Sequence, residues 1–135
     1  MLERSIILAG VILALFIIWS FVRIWQRRQL ARLQSQAPFA HIVPPGKAAV
    51  IAFYTPQCAE CRTRQAPALT RLHAQLGDAV HIQRLSALDH PELVDQAGIL
   101  TVPATLILDA HGTVRHLNMG FADTPQLAIQ LSAVL

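Results

Sequence analysis

The sequence predicts an α/β protein in which a mixed β-sheet is flanked by helices and preceded by one transmembrane helix. Three observations support this fold class. An uncharged apolar run occupies residues 6–22, strand and helix patterns alternate from residue 48 onwards, and the turn signal Asp109-Ala110-His111-Gly112 separates two neighbouring strand patterns. The 135 residues suffice for one domain and are too few for two sizeable cores.

The N-terminal apolar run is long enough to cross a bilayer. Residues 6–22 are 17 consecutive residues without charge, and the stretch reaches 20 residues at Trp25 with Arg23 as its only ionic interruption. A helix of that length is roughly 30 Å long, which matches the hydrocarbon core. Trp19 and Trp25 suit an interfacial position. Because no small-x-small cleavage site follows the run, an uncleaved anchor is favoured over a signal peptide.

Charge is distributed unevenly along the chain. Residues 1–40 contain five arginines and one glutamate, whereas residues 41–135 contain six Lys or Arg and seven Asp or Glu. Four arginines follow the apolar run, at positions 23, 27, 28 and 32. The positive-inside rule then predicts a single-pass protein of a bacterial-type inner or plasma membrane with a cytoplasmic domain, and an extracytoplasmic domain is the alternative. The basic segment suits a lipid bilayer as partner, and no nucleic acid is expected.

The chain divides into two predicted parts. Residues 1–40 are the transmembrane anchor with a basic juxtamembrane helix and linker, and residues 41–135 are the folded domain. Ala37-Pro38 and Pro44-Pro45-Gly46 interrupt the pattern between them. A short edge strand fits around residues 41–43.

The first half of the domain predicts a buried strand followed by a helix. Residues 48–54 form a continuous apolar run with β-branched and aromatic members, which is typical of a strand buried on both faces. Leucines then recur at spacings of three and four through residues 59–76, which indicates an amphipathic helix. Pro67 lies inside this helix and should kink it.

The second half adds three strands and two helices. They are predicted as a strand at residues 80–85, a short helix at 93–97, strands at 101–108 and 113–118, and a last helix that starts at Asp123-Thr124-Pro125. The order strand, helix, strand, helix, strand, strand, helix requires a parallel crossover followed by an antiparallel hairpin, which makes the sheet mixed.

The only two cysteines, Cys58 and Cys61, lie between the first strand and the first helix of the domain. At a helix start the first thiol is near unpaired N–H groups and the positive end of the helix dipole, which favour the thiolate. The second thiol is within reach to close a disulfide, so the pair can carry two electrons by thiol–disulfide exchange. Glu60 opposes the thiolate while Arg62 and Arg64 favour it, and Glu60 is therefore expected to tune the pair.

These residues resemble the thioredoxin superfamily, and more narrowly its membrane-anchored members. The resemblance rests on the strand that runs into Cys58-Ala59-Glu60-Cys61 and on Val102-Pro103-Ala104-Thr105 ahead of a hairpin, and it covers roughly residues 41–135. It implies a thioredoxin-like fold, Cys58 as the attacking thiol, Cys61 as the resolving thiol, and no cofactor other than their redox-active disulfide. It also implies that Pro103 is the family's cis-proline and that Val102 offers its backbone to an extended substrate peptide.

The chain departs from the family pattern at two positions. Gln57 replaces the tryptophan that commonly precedes the first cysteine, and Ala52 stands where many members have a buried aspartate that assists proton transfer at the resolving thiol. Proton transfer at Cys61 must then use water or another group, of which Glu60 is the nearest carboxylate in the sequence. The plainer interpretation of Glu60 is a solvated residue of the first helical turn.

The leading hypothesis is an enzyme, a membrane-tethered thiol–disulfide oxidoreductase that reduces or exchanges protein disulfides through the Cys58/Cys61 dithiol. Its expected partners are protein disulfides or dithiols and an unidentified electron donor or acceptor. One alternative is a redox-inactive binding module with the same fold at the membrane. The other is a zinc site that joins the cysteines to His111 and His116, which is disfavoured because His111 is predicted at the hairpin tip, so no metal is expected.

Overall fold

The computed structural model describes the backbone of residues 1–135 and every side chain except those of residues 35 and 36. The strands are β1 (Ala48–Tyr54), β2 (Val80–Ser86), β3 (Ala104–Leu108) and β4 (Val114–Met119). The helices are α1 (Leu2–Gln36), α2 (Ala66–Leu76), α3 (Pro91–Ala97) and α4 (Thr124–Ser132). A single turn of 3₁₀-helix, Gly77–Ala79, joins α2 to β2.

The four strands form one mixed sheet in the order β2-β1-β3-β4. β1 pairs in parallel with β2 and antiparallel with β3, and β3 pairs antiparallel with β4. The predicted mixed sheet flanked by helices is confirmed. Its register aligns the carboxyl ends of β1, β2 and β4 with the amino end of β3, so that Tyr54, Ser86, Met119 and Ala104 mark one edge. We call this end of the sheet, where the strands begin or end, the cysteine edge, because Cys58 follows β1 there.

Both faces of the sheet are buried, which explains the continuous apolar run of β1. Successive side chains of a strand point to opposite faces. Ile51 and Phe53 accordingly pack in one cluster with residues of α1 and α3, while Val50 and Ala52 pack in a second cluster with residues of α2 and α4. The site at the end of β1 therefore rests on a strand that is held from both sides.

Helix α1 changes character along its length. Its N-terminal part contains one window that is apolar enough to cross a membrane, with a mean hydropathy of 2.7 and no buried residues. Leu33, near the other end, is 1% exposed and belongs to the core of the domain. The same unbroken helix thus contributes an exposed apolar segment and a part of the folded domain.

The edge strand predicted at residues 41–43 is wrong. The chain makes consecutive turns there, in which the amide N–H groups of Ile42 and Val43 both donate to the carbonyl of Phe39 at 3.0 and 3.4 Å. Phe39 is fully buried, and its ring lies edge-on to that of Phe53 with centroids 6.2 Å apart. Side-chain packing fastens this segment to the domain where a strand would use backbone hydrogen bonds.

Two prolines modify the elements that flank the cysteines. Residues Cys61–Gln65 form a π-helical turn, in which the amide of Ala66 donates to the carbonyl of Cys61. The helix therefore departs from α geometry directly before Pro67, whose ring would crowd a carbonyl of the preceding α-helical turn. β3 begins at Ala104 and not at residue 101, because Pro103 has no N–H to donate to a sheet.

Candidate active site

Cys58 and Cys61 are joined by a disulfide at the start of the helix that follows β1. Cys58 is partly exposed, whereas Cys61 is 2% exposed. An external sulfur can therefore approach Cys58 and cannot approach Cys61. Of the two sulfurs, only that of Cys58 is open to solvent.

Hydrogen bonds fix Cys58 and the turn that precedes it. Its own amide donates to the carbonyl of Thr55 at 3.1 Å, and Nη1 of Arg62 donates to the carbonyl of Pro56 at 3.2 Å. The amide of Cys61 donates to Sγ of Cys58 at 3.1 Å. Because N–H groups at a helix start carry partial positive charge, this last bond stabilises negative charge on the Cys58 sulfur once the disulfide is reduced.

Glu60 lies on the exposed side of the same turn. Its Oε1 accepts a hydrogen bond from Nη1 of Arg64 at 3.4 Å, and the two side chains are 46% and 60% exposed. Arg64 also stacks on Phe121, with the guanidinium carbon 4.3 Å from the ring centroid. An exposed pair of this kind contributes about 0.3–0.5 kcal/mol. The geometry is that of a solvated, charge-compensated helix residue, and a tuning role for Glu60 stays a prediction.

Val102 and Pro103 lie at the cysteine edge. The peptide bond between them is cis, and the next residue, Ala104, pairs with Phe53 near the end of β1. Pro103 is buried and Val102 partly exposed, and the carbonyl of Pro103 accepts from the amide of Gly120 at 2.9 Å. The fold thus brings the two motifs, which are distant in sequence, to the ends of adjacent strands.

Gln65 supports this site, and the sequence reasoning missed it. Its side chain is 3% exposed and bonds twice to Ala122, donating from Nε2 to the carbonyl at 3.0 Å and accepting at Oε1 from the amide at 3.1 Å. It thereby fastens the loop after β4, which contains Gly120. Its position in the sequence could have indicated its burial: Gln65 lies four residues after Cys61 and four before Leu69, on the same side of the helix.

The position of Ala52 provides no acid or base. Ala52 is 2% exposed and packs in the apolar cluster that contains Leu69 and Leu72. A group that moves the proton of Cys61 must therefore come from water or from another residue.

The hairpin between β3 and β4 is stabilised by Asp109, at the edge opposite the cysteines. Oδ1 of Asp109 accepts from the amides of His111 and Thr113 at 2.9 and 3.0 Å, and Oδ2 accepts from Nε of Arg115 at 2.8 Å. Burial, the largest single effect, raises the pKa of Asp109, but the hydrogen bonds from Arg115 and the two amides outweigh it and hold the pKa below its usual value.

Among the described side chains, no three His, Cys, Asp or Glu residues are grouped to hold a metal, so the zinc arrangement with His116 is not formed.

Comparison with known proteins agrees with this geometry. The family model described as Thioredoxin matches residues 30–132. A thioredoxin from Alicyclobacillus acidocaldarius subsp. acidocaldarius is 28% identical over 101 residues, which are 75% of this chain and 94% of that protein.

Solved structures share the fold. A thiol-disulfide isomerase from Corynebacterium glutamicum superimposes with a TM-score of 0.58 and 17% identity, over 67% of this chain and 82% of that one. Thioredoxin-2, a component of malaria parasite protein secretion machinery, gives a TM-score of 0.59 and 15% identity, over 64% of this chain and 82% of that one.

An accessible Cys-x-x-Cys disulfide at a helix start, on a mixed sheet flanked by helices, places the site in the class of thiol–disulfide oxidoreductases. The family match spans most of the domain and includes both cysteines. The chain belongs to the thioredoxin family.

Proposed function

We propose that this chain is a membrane-tethered thiol–disulfide oxidoreductase that reduces protein disulfides through the Cys58/Cys61 dithiol. The observation that carries the proposal is the disulfide of unequal exposure, with the Cys61 amide 3.1 Å from Sγ of Cys58. A partly exposed sulfur that is stabilised as a thiolate is the nucleophile that exchange requires.

The proposed cycle begins with the reduced pair. The Cys58 thiolate attacks one sulfur of a substrate disulfide, which forms a mixed disulfide and expels the other substrate sulfur as a thiolate. Cys61 then loses its proton and attacks Sγ of Cys58, which restores the Cys58–Cys61 disulfide and releases the second substrate thiolate. Two electrons pass from the protein to the substrate, whose thiolates take up two protons. A dithiol donor returns the pair to its reduced form.

The proton of Cys61 must leave a buried position. With Ala52 in place of a carboxylate, we expect water that enters beside Cys58 to accept this proton. Glu60 is the nearest carboxylate in sequence, but the bond that its side chain makes is directed to Arg64. Resolution of the mixed disulfide is therefore the step that this chain should perform slowly.

Substrate binding is assigned to the loop before β3. Val102 is partly exposed and precedes the first residue of the β3 ladder, at the same edge of the sheet as Cys58. Its backbone can pair with an extended peptide in the manner of an added strand. Pro103, which is buried, holds Val102 in that position.

Helix α1 is assigned as the tether, and the arginines after its apolar window favour a cytoplasmic domain. A membrane-impermeant maleimide applied to intact cells, after mild reduction, tests the side. A cytoplasmic domain predicts labelling of Cys58 only after permeabilisation. Labelling in intact cells would establish the extracytoplasmic alternative.

Single cysteine substitutions test the chemistry. Cys61→Ser should accumulate a mixed disulfide with substrate, because no resolving thiol remains, whereas Cys58→Ser should accumulate none. The wild-type chain in detergent micelles should reduce insulin disulfides with dithiothreitol as donor, and both variants should lose turnover. If the wild type does not reduce insulin and Cys58→Ser still captures the same partners, the chain is a redox-inactive binding module.

A further inference from the structure

Exposed apolar side chains are concentrated around the redox centre. In the domain, five large apolar side chains are exposed: Leu88, Leu100, Met119, Ile129 and Leu135. Three of them lie at the cysteine edge, because Leu88 follows β2, Leu100 precedes β3 and Met119 ends β4. We call Leu88, Leu100 and Met119 the apolar rim. Leu100 and Met119 share a groove with Val22 and Trp25 of α1, which joins the exposed apolar side chains of this edge to those of the helix.

Helix α1 runs antiparallel to β4, so its apolar segment leaves the domain at the cysteine edge. Near the end of α1, Gln34 lines a pocket with Asp109 and His116, at the opposite edge. Val22 and Trp25, about 18 and 14 Å earlier along the helix, line a groove of about 570 Å³ that extends to Leu100 and Met119. The end of α1 that carries the apolar segment is therefore the end that lies nearer the cysteine edge.

No flexible linker separates the domain from the membrane-spanning part of α1. α1 is one helix from Leu2 to Gln36, and Leu30 and Leu33 pack in the domain core. Leu30 is about 8 Å along the helix from Trp25, and a headgroup layer is roughly 5–8 Å thick. With the uncharged residues 6–22 in the hydrocarbon, Arg23 and Trp25 lie at headgroup depth, and the part of the domain beside them reaches the headgroups.

Two arginines of α1 that lie near this edge suit a membrane surface. Arg23 and Arg27 line the same groove as Trp25, and Arg23 stacks on Trp19 with its guanidinium carbon 4.9 Å from the ring centroid. Arginine beside tryptophan and exposed leucine is the composition that headgroup layers favour, and anionic lipids add electrostatic attraction.

We propose that the cysteine edge faces the bilayer and that Leu88, Leu100 and Met119 contact its headgroup layer. Cys58 then acts at the membrane surface, and its substrates are disulfides held at headgroup depth, as in loops of membrane proteins. This substrate class rests on the proposed tether and exchange chemistry, whereas the orientation rests on α1 and the apolar rim.

Photo-crosslinking of the full chain in vesicles of phosphatidylcholine and phosphatidylglycerol tests the orientation. p-Benzoylphenylalanine replaces Leu88 in one variant and Leu135 in the other, a matched control because both residues are 64% exposed but lie at opposite edges. We expect lipid adducts, detected by mass spectrometry, at position 88 and none at position 135. Equal lipid yields at both positions, or adducts at position 88 with protein only, would overturn the orientation.

Kinetics with one disulfide peptide in three forms test the substrate class. The peptide is soluble, lipid-anchored through a short spacer, or lipid-anchored through a long flexible spacer. The full chain in vesicles should reduce the short-spacer form about tenfold faster than the long-spacer form, because the effective concentration at the cysteines falls with spacer length. Faster reduction of the long-spacer form would overturn the inference alone, whereas failure to reduce even the soluble peptide would overturn the proposed function as well.

Discussion

Replacement of Gln65 by leucine tests how the loop behind the site is held. Leucine keeps roughly the same volume but removes both hydrogen bonds to Ala122, whose amide and carbonyl then lie unpaired in the interior. Each unpaired buried group costs about 1–3 kcal/mol. We expect Gln65→Leu to lower the free energy of unfolding by about 2–6 kcal/mol and the melting temperature by at least about 8 °C.

Denaturant unfolding of the full chain in detergent micelles, followed by circular dichroism, measures this change. Gln75→Leu is the matched control, because Gln75 lies on the exposed side of α2 and the same substitution there should alter the free energy of unfolding by no more than about 0.5 kcal/mol. Gln65→Leu should also slow insulin reduction at temperatures where it is folded, because the loop that contacts Pro103 loosens. If the two variants unfold at the same denaturant concentration, the pairing of Gln65 with Ala122 does not stabilise the domain.

Three further predictions concern other parts of the chain. The depressed pKa of Asp109 means that its carboxylate contributes stability above about pH 4, lost as the pH falls through the folded-state pKa. Asp109→Asn should therefore lower the free energy of unfolding by about 1–3 kcal/mol at pH 7. The difference in urea midpoint from the wild type should shrink as the pH falls below the ordinary Asp pKa of about 4; a difference that does not change with pH would contradict this. Gly112→Ala should lower the free energy of unfolding by about 1–3 kcal/mol more than Gly46→Ala does. Both glycines have positive φ, but only at Gly112 would a Cβ lie 2.9 Å from the backbone of Ala40; equal unfolding midpoints of the two variants would refute this. Glu60→Gln should raise the reduction potential by about 10 mV, measured against glutathione; no change would leave Glu60 as a solvated helix residue.

Local patterns predicted most of the elements. The apolar run of β1, the helix phase of α2 and the turn before β4 were read correctly because each depends on neighbours in sequence. The edge strand at residues 41–43 was wrong because Phe39 and Val43 are buried by contacts with residues remote in sequence, among them Phe53. The pattern showed that these residues are apolar and could not show what they pack against.

The site divides in the same way. Cys58 and Cys61 were identifiable from their spacing, and Val102-Pro103 from the family resemblance, whereas Gln65 became visible only through its bonds to Ala122 across a long stretch of chain. A buried amide side chain has no sequence signature of its own beyond its helical phase.

The sequence by itself determined that an apolar helix precedes an α/β domain and that the domain presents one cysteine pair at a helix start. Periodicity and residue spacing are local properties, and they are sufficient for both statements. Only the tertiary structure decided that Cys61 is buried while Cys58 is not, and that α1 leaves the domain at the edge where Leu100 and Met119 are exposed. Those outcomes depend on how α1 packs against the sheet, and the direction of that packing is set by core contacts between residues far apart in sequence.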